Sequence, residues 1–104
     1  ALILTGEGST DYQTLYGKVP FGIAQIAQKY DKPVICISGS LGYGYEELYN
    51  AGIVALFSIM DKPMSLDKAM KRGEELLEKT TRNVLNLHLN IITGKNTKAL
   101  RIDK

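Results

Sequence analysis

One cysteine, one histidine and no apolar run of membrane-spanning length stand in this sequence, and each shortage removes a class of function. With Cys36 alone, no internal disulfide framework can form, which fits a reducing, cytoplasmic setting. Cys36 lies inside an apolar run and reads as a small hydrophobe, not a nucleophile. His88 shares a helical stripe with Val84 and Ile91, so it is expected to pack at a core edge. No His, Cys and Asp spacing matches a zinc site. No signal-peptide pattern and no stretch of about 18 apolar residues occurs, so no membrane partner is expected. Two phosphate-binding motifs are missing as well. Tyr12 stands where a Walker-A loop ending in Gly17-Lys18 needs glycine, and Gly6-x-Gly8 runs on to Asp11 where a dinucleotide fingerprint needs glycine.

A large excess of one charge is also lacking. The net +2 comes from the tail, where Lys95, Lys98, Arg101 and Lys104 face Asp103 alone; that net +3 leaves residues 1–94 at −1. A body so nearly neutral is not expected to bind nucleic acid.

What is present is a core. A chain of 104 residues with 44% hydrophobic content has the material for one domain, or a piece of one. Three short runs are apolar at consecutive positions: Leu2 to Thr5, Pro33 to Ser38 and Ile53 to Ser58. Consecutive apolar residues mark strands covered on both faces, as in parallel sheets. Between the first two, residues 20–30 have helical spacing, with Pro20 suited to a first turn. A short helix is expected from about Tyr45 to Asn50, stopped by Gly52. A long one should start at Ser65, with a core stripe running from Leu66 through Leu76 and Val84 to Ile91. The order βαβαβα predicts an α/β fold, a three-layer Rossmann-like half-sheet of parallel strands with a long C-terminal helix. That last helix should overhang the sheet, so it either breaks near Asn86 or packs on further protein. The opening on strand-like Ala1-Leu2-Ile3-Leu4, with two sheet edges to cover, carries the expectation of a part of a larger domain, or of a homodimer.

Ligands of open parallel sheets bind at the carboxyl ends of the strands. There, residues 5–18 read as an unusually long loop holding two carboxylates, an amide, hydroxyls, a lysine and three glycines. Phosphoryl transfer needs backbone close to phosphate, a cation, a metal-holding carboxylate and a base. All four kinds of group are in this segment. Asp11 is a candidate base or metal ligand, or a turn-capping aspartate. Lys18 can stabilise a transferring phosphoryl group, or sit solvated at a helix start. Glu7 can bind Mg²⁺ or hold the loop by accepting hydrogen bonds. Gln13 and Thr14 can orient a substrate or serve as struts. Ser38-Gly39-Ser40 reads as an anion cradle between strand and helix, or as a tight turn.

At this segment the chain resembles a family. Thr5-Gly6-Glu7-Gly8-x-x-Asp11-x-Gln13-Thr14-x-x-Gly17-Lys18-x-Pro20-x-Gly22 is similar to the T-G-E-G-R-I-D-x-Q-T-x-x-G-K-x-P-x-G signature of type-1 glycerate kinases. The similarity continues through Lys32-Pro33-Val34-Ile35, Ser38 to Gly42, Phe57-Ser58-Ile59 and Pro63 to Leu66, covering about residues 1–90. It implies a C-terminal α/β portion over residues 1–92 and a basic, disordered tail over 93–104, with the N-terminal portion of the same enzyme as partner. It also implies ATP and Mg²⁺ as cofactors and D-glycerate as the substrate phosphorylated, by the family's pattern to the 2-phosphate. The catalytic residues would then be Asp11 and Lys18. Gly6, Glu7, Gly8, Gln13, Thr14, Ser38, Gly39 and Ser40 would bind substrate or phosphate, Glu7 taking the metal. A piece of this size is expected to be inactive alone. Ser9 and Thr10 stand where the family usually has arginine and isoleucine, and losing that arginine would weaken anion binding. The alternative is therefore a non-catalytic nucleotide- or anion-binding module, or a degenerate paralogue.

Overall fold

The computed structural model describes residues 2–93. Strand β1 (Ile3–Thr10) leads through a 3-10 turn (Tyr12–Leu15) into helix α1 (Val19–Lys29) and strand β2 (Val34–Leu41). A second 3-10 segment (Tyr45–Ala51), strand β3 (Ile53–Ser58) and helices α2 (Leu66–Lys71) and α3 (Gly73–Thr93) follow. The three strands form one parallel sheet in the order β1-β2-β3, as the alternation of strands and helices predicts.

Side chains of a strand alternate between faces, and that sorts the packing. Val34 and Cys36 of β2 point to one face, where they cluster with Ala24 and Ala27 of α1, Leu48 and Ile53. Alanines on the inner side of α1 let the helix sit close to the strands. Ile37 points to the other face, which α3 covers with Leu76 fully buried and Val84 nearly so. Helices on both faces make three layers. The two outer strands are edges of the described sheet, and Val54 of β3 is accordingly exposed.

Three boundaries depart from the sequence reading. Strand β1 does not end at Thr5: its pairing with β2 runs from Ile3↔Val34 to Thr10↔Leu41, so Gly6, Glu7 and Gly8 are strand residues and the loop shrinks to residues 11–18. Strand β2 likewise takes in Ser38, Gly39 and Ser40, which are neither a tight turn nor a helix entrance. Backbone hydrogen bonds across the ladder carry these polar residues, whatever their hydropathy.

The third departure is in the long helix, which breaks at Arg72 rather than near Asn86. Ser65 caps α2 by accepting the Lys68 N–H at 3.2 Å. The Arg72 guanidinium then donates to Asp61 at 3.0 and 3.2 Å and to Glu75 at 3.0 and 3.1 Å. Those bonds hold the Glu75 carboxyl down to about 2, with Lys79 adding to the effect, and lower Asp61 too. Beyond Val84 the stripe leaves the sheet: Leu87 is 52% and Ile91 58% exposed. The basic tail expected at residues 93–104 lies outside the described residues apart from Thr93, which ends α3.

Gly52 ends the second 3-10 segment with φ of 101°, and an added Cβ there would meet Gln28 atoms at 2.5 Å. Gly22, inside α1, has nothing within 4 Å of an added Cβ. Gly22→Ala is expected to stabilise the fold by about 0.5–1 kcal/mol. Gly52→Ala should destabilise it by at least about 1–2 kcal/mol. Urea-unfolding midpoints of the two variants check both signs.

Candidate functional site

At the carboxyl ends of β1 and β2, a chain of hydroxyl groups gathers around one carboxylate. Glu7 pairs with Ser38 across the ladder. Its Oε2 accepts a hydrogen bond from the Thr10 hydroxyl at 2.7 Å and one from the Thr14 hydroxyl at 2.6 Å. The Thr10 hydroxyl also meets Ser38 Oγ and lies 3.8 Å from Cys36 Sγ, which is 3.5 Å from Ser38 Oγ. Thr10, Thr14 and Ser38 are fully buried, and among the described residues no buried side-chain polar atom lacks a partner. No described ion pair involves Glu7. Hydroxyl donors, not a cation, hold its charge.

The same threonine continues outward to Asp11. Thr14 Oγ1 accepts the Asp11 N–H at 3.3 Å, while Asp11 Oδ1 accepts the Gln13 N–H at 2.8 Å. This reciprocal capping starts the 3-10 turn. The Asp11 side chain also accepts from the Thr14 backbone N–H. A second loop wraps the turn. The Gly42 N–H donates to the Thr10 carbonyl at 2.6 Å and the Tyr12 N–H to the Tyr43 carbonyl at 3.0 Å. The Tyr12 and Tyr43 rings meet edge to face at 6.2 Å. Gly44 is required there: its φ is 76°, and a Cβ would come within 2.8 Å of Tyr12 Cβ. Asp11 is thus half-buried and fixed by backbone on both sides.

Of the residues expected from the sequence, Glu7, Thr14 and Ser38 come together, with Asp11 and Gln13 adjoining them. Lys18 stands apart. It is exposed, its carbonyl accepts the Phe21 and Gly22 N–H groups at the start of α1, and no described hydrogen bond or ion pair joins it to Asp11. Gly6 and Gly39 sit where β1 and β2 pack backbone to backbone. An added Cβ on Gly6 would strike the Ile37 carbonyl, and one on Gly39 would lie 2.5 Å from the Gly8 carbonyl oxygen. Gly8, Gly39 and Ser40 border a cleft of about 550 Å³ that Asp11 and Lys18 do not line. Ser9 is exposed, with Ser40 Oγ 3.4 Å from its hydroxyl.

Sequence reasoning missed Thr10 and Cys36 as members of the network. Thr10 lies between the two carboxylates, which is a signal; nothing local marks Cys36 as a hydroxyl's neighbour. Among the described residues no three or more His, Cys, Asp or Glu side chains group as a metal site. Mg²⁺ needs less, since one or two carboxylates plus substrate phosphates suffice for it. Asp11 and Glu7 are the two carboxylates of this kind here, Glu7 with Oε2 held by two hydroxyls and Asp11 with Oδ1 held by the Gln13 N–H.

Removing either hydroxyl leaves the shared oxygen one donor short, so Thr10→Val and Thr14→Val should each destabilise by about 1–3 kcal/mol. Because both serve one oxygen, the double variant should miss additivity by about 0.5 kcal/mol or more. Urea unfolding of the four proteins measures this, and strict additivity would mean the two bonds act independently.

Comparison with known proteins gives the family of the chain. The family model described as the glycerate kinase family matches residues 1–89. A glycerate kinase of Halalkalibacterium halodurans is 52% identical over 82 residues, which is 79% of this chain and 22% of that protein. A glycerate kinase of Bacillus subtilis is 43% identical and a glycerate 2-kinase of Escherichia coli 41% identical, each over 80% of this chain and 22% of the relative. The chain thus spans about a fifth of the length of the curated relatives it matches. With a family model over most of its length and these identities in the same segment, the chain belongs to the glycerate kinase family.

Proposed function

We propose that this chain is the part of a glycerate kinase that presents Asp11 to the substrate. The whole enzyme then transfers the γ-phosphoryl group of ATP to a hydroxyl of D-glycerate. The observation that carries the reading is the double anchoring of Asp11. Its carboxylate caps the 3-10 turn by accepting backbone N–H groups while its own N–H is held by Thr14, at the carboxyl edge of a parallel sheet. A base for an alcohol needs a carboxylate held in place within reach of its proton. In the transfer, the substrate hydroxyl oxygen bonds to the γ-phosphorus, the bond to the ADP oxygen breaks, and Asp11 takes the hydroxyl proton. The relative named glycerate 2-kinase supports the 2-hydroxyl as the acceptor.

Other residues take supporting parts. Glu7 acts as the strut that holds Thr10 and Thr14, and so the Asp11 turn, rather than as the metal ligand. Lys18, exposed and unpaired by any described contact, is available to a phosphate. Gln13, beside Asp11, can hydrogen-bond the glycerate carboxylate. The backbone at Gly6 to Gly8, with Ser38 to Ser40 alongside, faces the nucleotide. Mg²⁺, when bound with ATP, neutralises phosphate charge. The use of ATP and glycerate suits the cytoplasm, and the remaining length of the enzyme would close the cleft over both substrates. The exposed Ser9, in place of the family arginine, favours weaker anion binding than in the relatives and keeps a binding-only role as the second reading.

In a full-length kinase containing this segment, Asp11→Asn should lower kcat by about 10²–10⁴-fold while leaving the thermal midpoint nearly unchanged. The isolated chain should consume no ATP in the presence of glycerate, because one half-sheet cannot exclude water from two substrates. Coupled ADP-release assays measure both. Turnover like wild type in Asp11→Asn removes Asp11 from the role.

A further inference from the structure

On the sheet face opposite the Glu7 network lies the cleft bordered by Gly8, Gly39 and Ser40, about 550 Å³ in volume. Its floor is the strand backbone itself, since two of those three residues have no side chain. The far wall holds Met60, Met64 and Met70, which are all the methionines of the sequence. Leu66 and Met70 are 76% and 74% exposed, so the wall is apolar yet covered by nothing described.

Gly8 shows that the opening is wanted. Its φ is not positive and a Cβ there would meet nothing within 4 Å, so neither backbone conformation nor packing demands glycine. Glycine inside a strand is unfavourable by roughly 0.5–1 kcal/mol, and it commonly marks a place where a ligand approaches the backbone. Gly73, also in the lining and with nothing within 4 Å of an added Cβ, repeats the pattern at the start of α3. Thioether side chains make favourable contacts with aromatic rings and adapt to their shape. The wall turns basic at its outer side: Met64 also borders a second cleft with Lys62, Lys68, Lys71 and Arg72. Lys62 and Lys68 take part in no described ion pair. A flat apolar floor, polarisable walls and cations alongside match a flat ring joined to an anion.

We propose that this cleft receives the adenine ring of the nucleotide, the ring lying on the Gly8–Gly39 backbone against Met60, Met64 and Met70. The assignment rests on the kinase reading for the nucleotide and adds the place of its base. It also separates the two substrates by face, with the base on the glycine and methionine side of the sheet and Asp11 beyond the strand ends.

The methionine count makes the test direct. Labelling the chain with ¹³C-methyl methionine gives NMR signals from Met60, Met64 and Met70 alone. Adenosine and ATP should both move all three signals upfield, saturably, through the ring current; tripolyphosphate and glycerate should leave them in place. Gly8→Ala, whose added Cβ meets nothing within 4 Å, should weaken the response and keep a dispersed spectrum. Met64→Ala should weaken adenosine by about three- to tenfold. Methyl signals that follow tripolyphosphate but not adenosine would make the cleft an anion site and overturn the proposal. So would signals blind to adenosine at millimolar concentration, the result expected if another protein segment fills the cleft. If the methyls stay still while a full-length kinase phosphorylates glycerate, only the base site falls. If adenosine moves them but no glycerate is phosphorylated, the kinase reading falls instead.

Discussion

One carboxylate oxygen, Glu7 Oε2, ties the first strand to the turn that follows it. Two threonine hydroxyls donate to it, and one of them also accepts the Asp11 amide. Burying a carboxylate is unfavourable unless donors replace the lost water. Glu7 meets that condition through the Thr10 and Thr14 hydroxyls, with no cation among its described partners. The side chains of Lys18, Lys62 and Lys68 take part in no described ion pair, which leaves them available to an anion.

The sheet uses its two faces differently. On the α1 side, hydroxyls, a thiol and a carboxylate form a closed polar set at the end of an otherwise apolar core. On the α2 side, the glycines leave the backbone bare, and no side chain of the described structure fills the space above Gly8. Gly6 and Gly39 are fixed by the close packing of β1 on β2, whereas Gly8 is not, and the proposed base site rests on that contrast. The break at Arg72 matters here as well. It ends α2 before α3 begins, and Met64, Ala69 and Met70 of the preceding segment border the cleft.

Much of this was legible in the residues. The interiors of the strands and α1 follow from consecutive apolar runs and helical spacing, which are local signals. The strand ends were not legible, because Glu7, Ser38 and Ser40 look like loop residues until their partners are known. Glu7 finds Thr14 seven residues on, and Ser38 finds Thr10 twenty-eight residues back. No local pattern encodes such pairings. The helix break was hidden for a similar reason, since Arg72 is held from Asp61 as well as from its own helix. The signature of residues 5–22 marked the right segment, but it did not tell strut from reactive group. The hydrogen bonds show only that Glu7 joins the strand to the turn and that Asp11 caps the turn.

The central claim is that Glu7 holds the turn that holds Asp11. Hydrogen exchange of the Gln13 and Thr14 amides in Glu7→Ala tests it most directly. The account predicts that both amides lose protection while those of β2 keep theirs. Unchanged protection at Gln13 would show that the turn stands without the carboxylate, and would contradict the account.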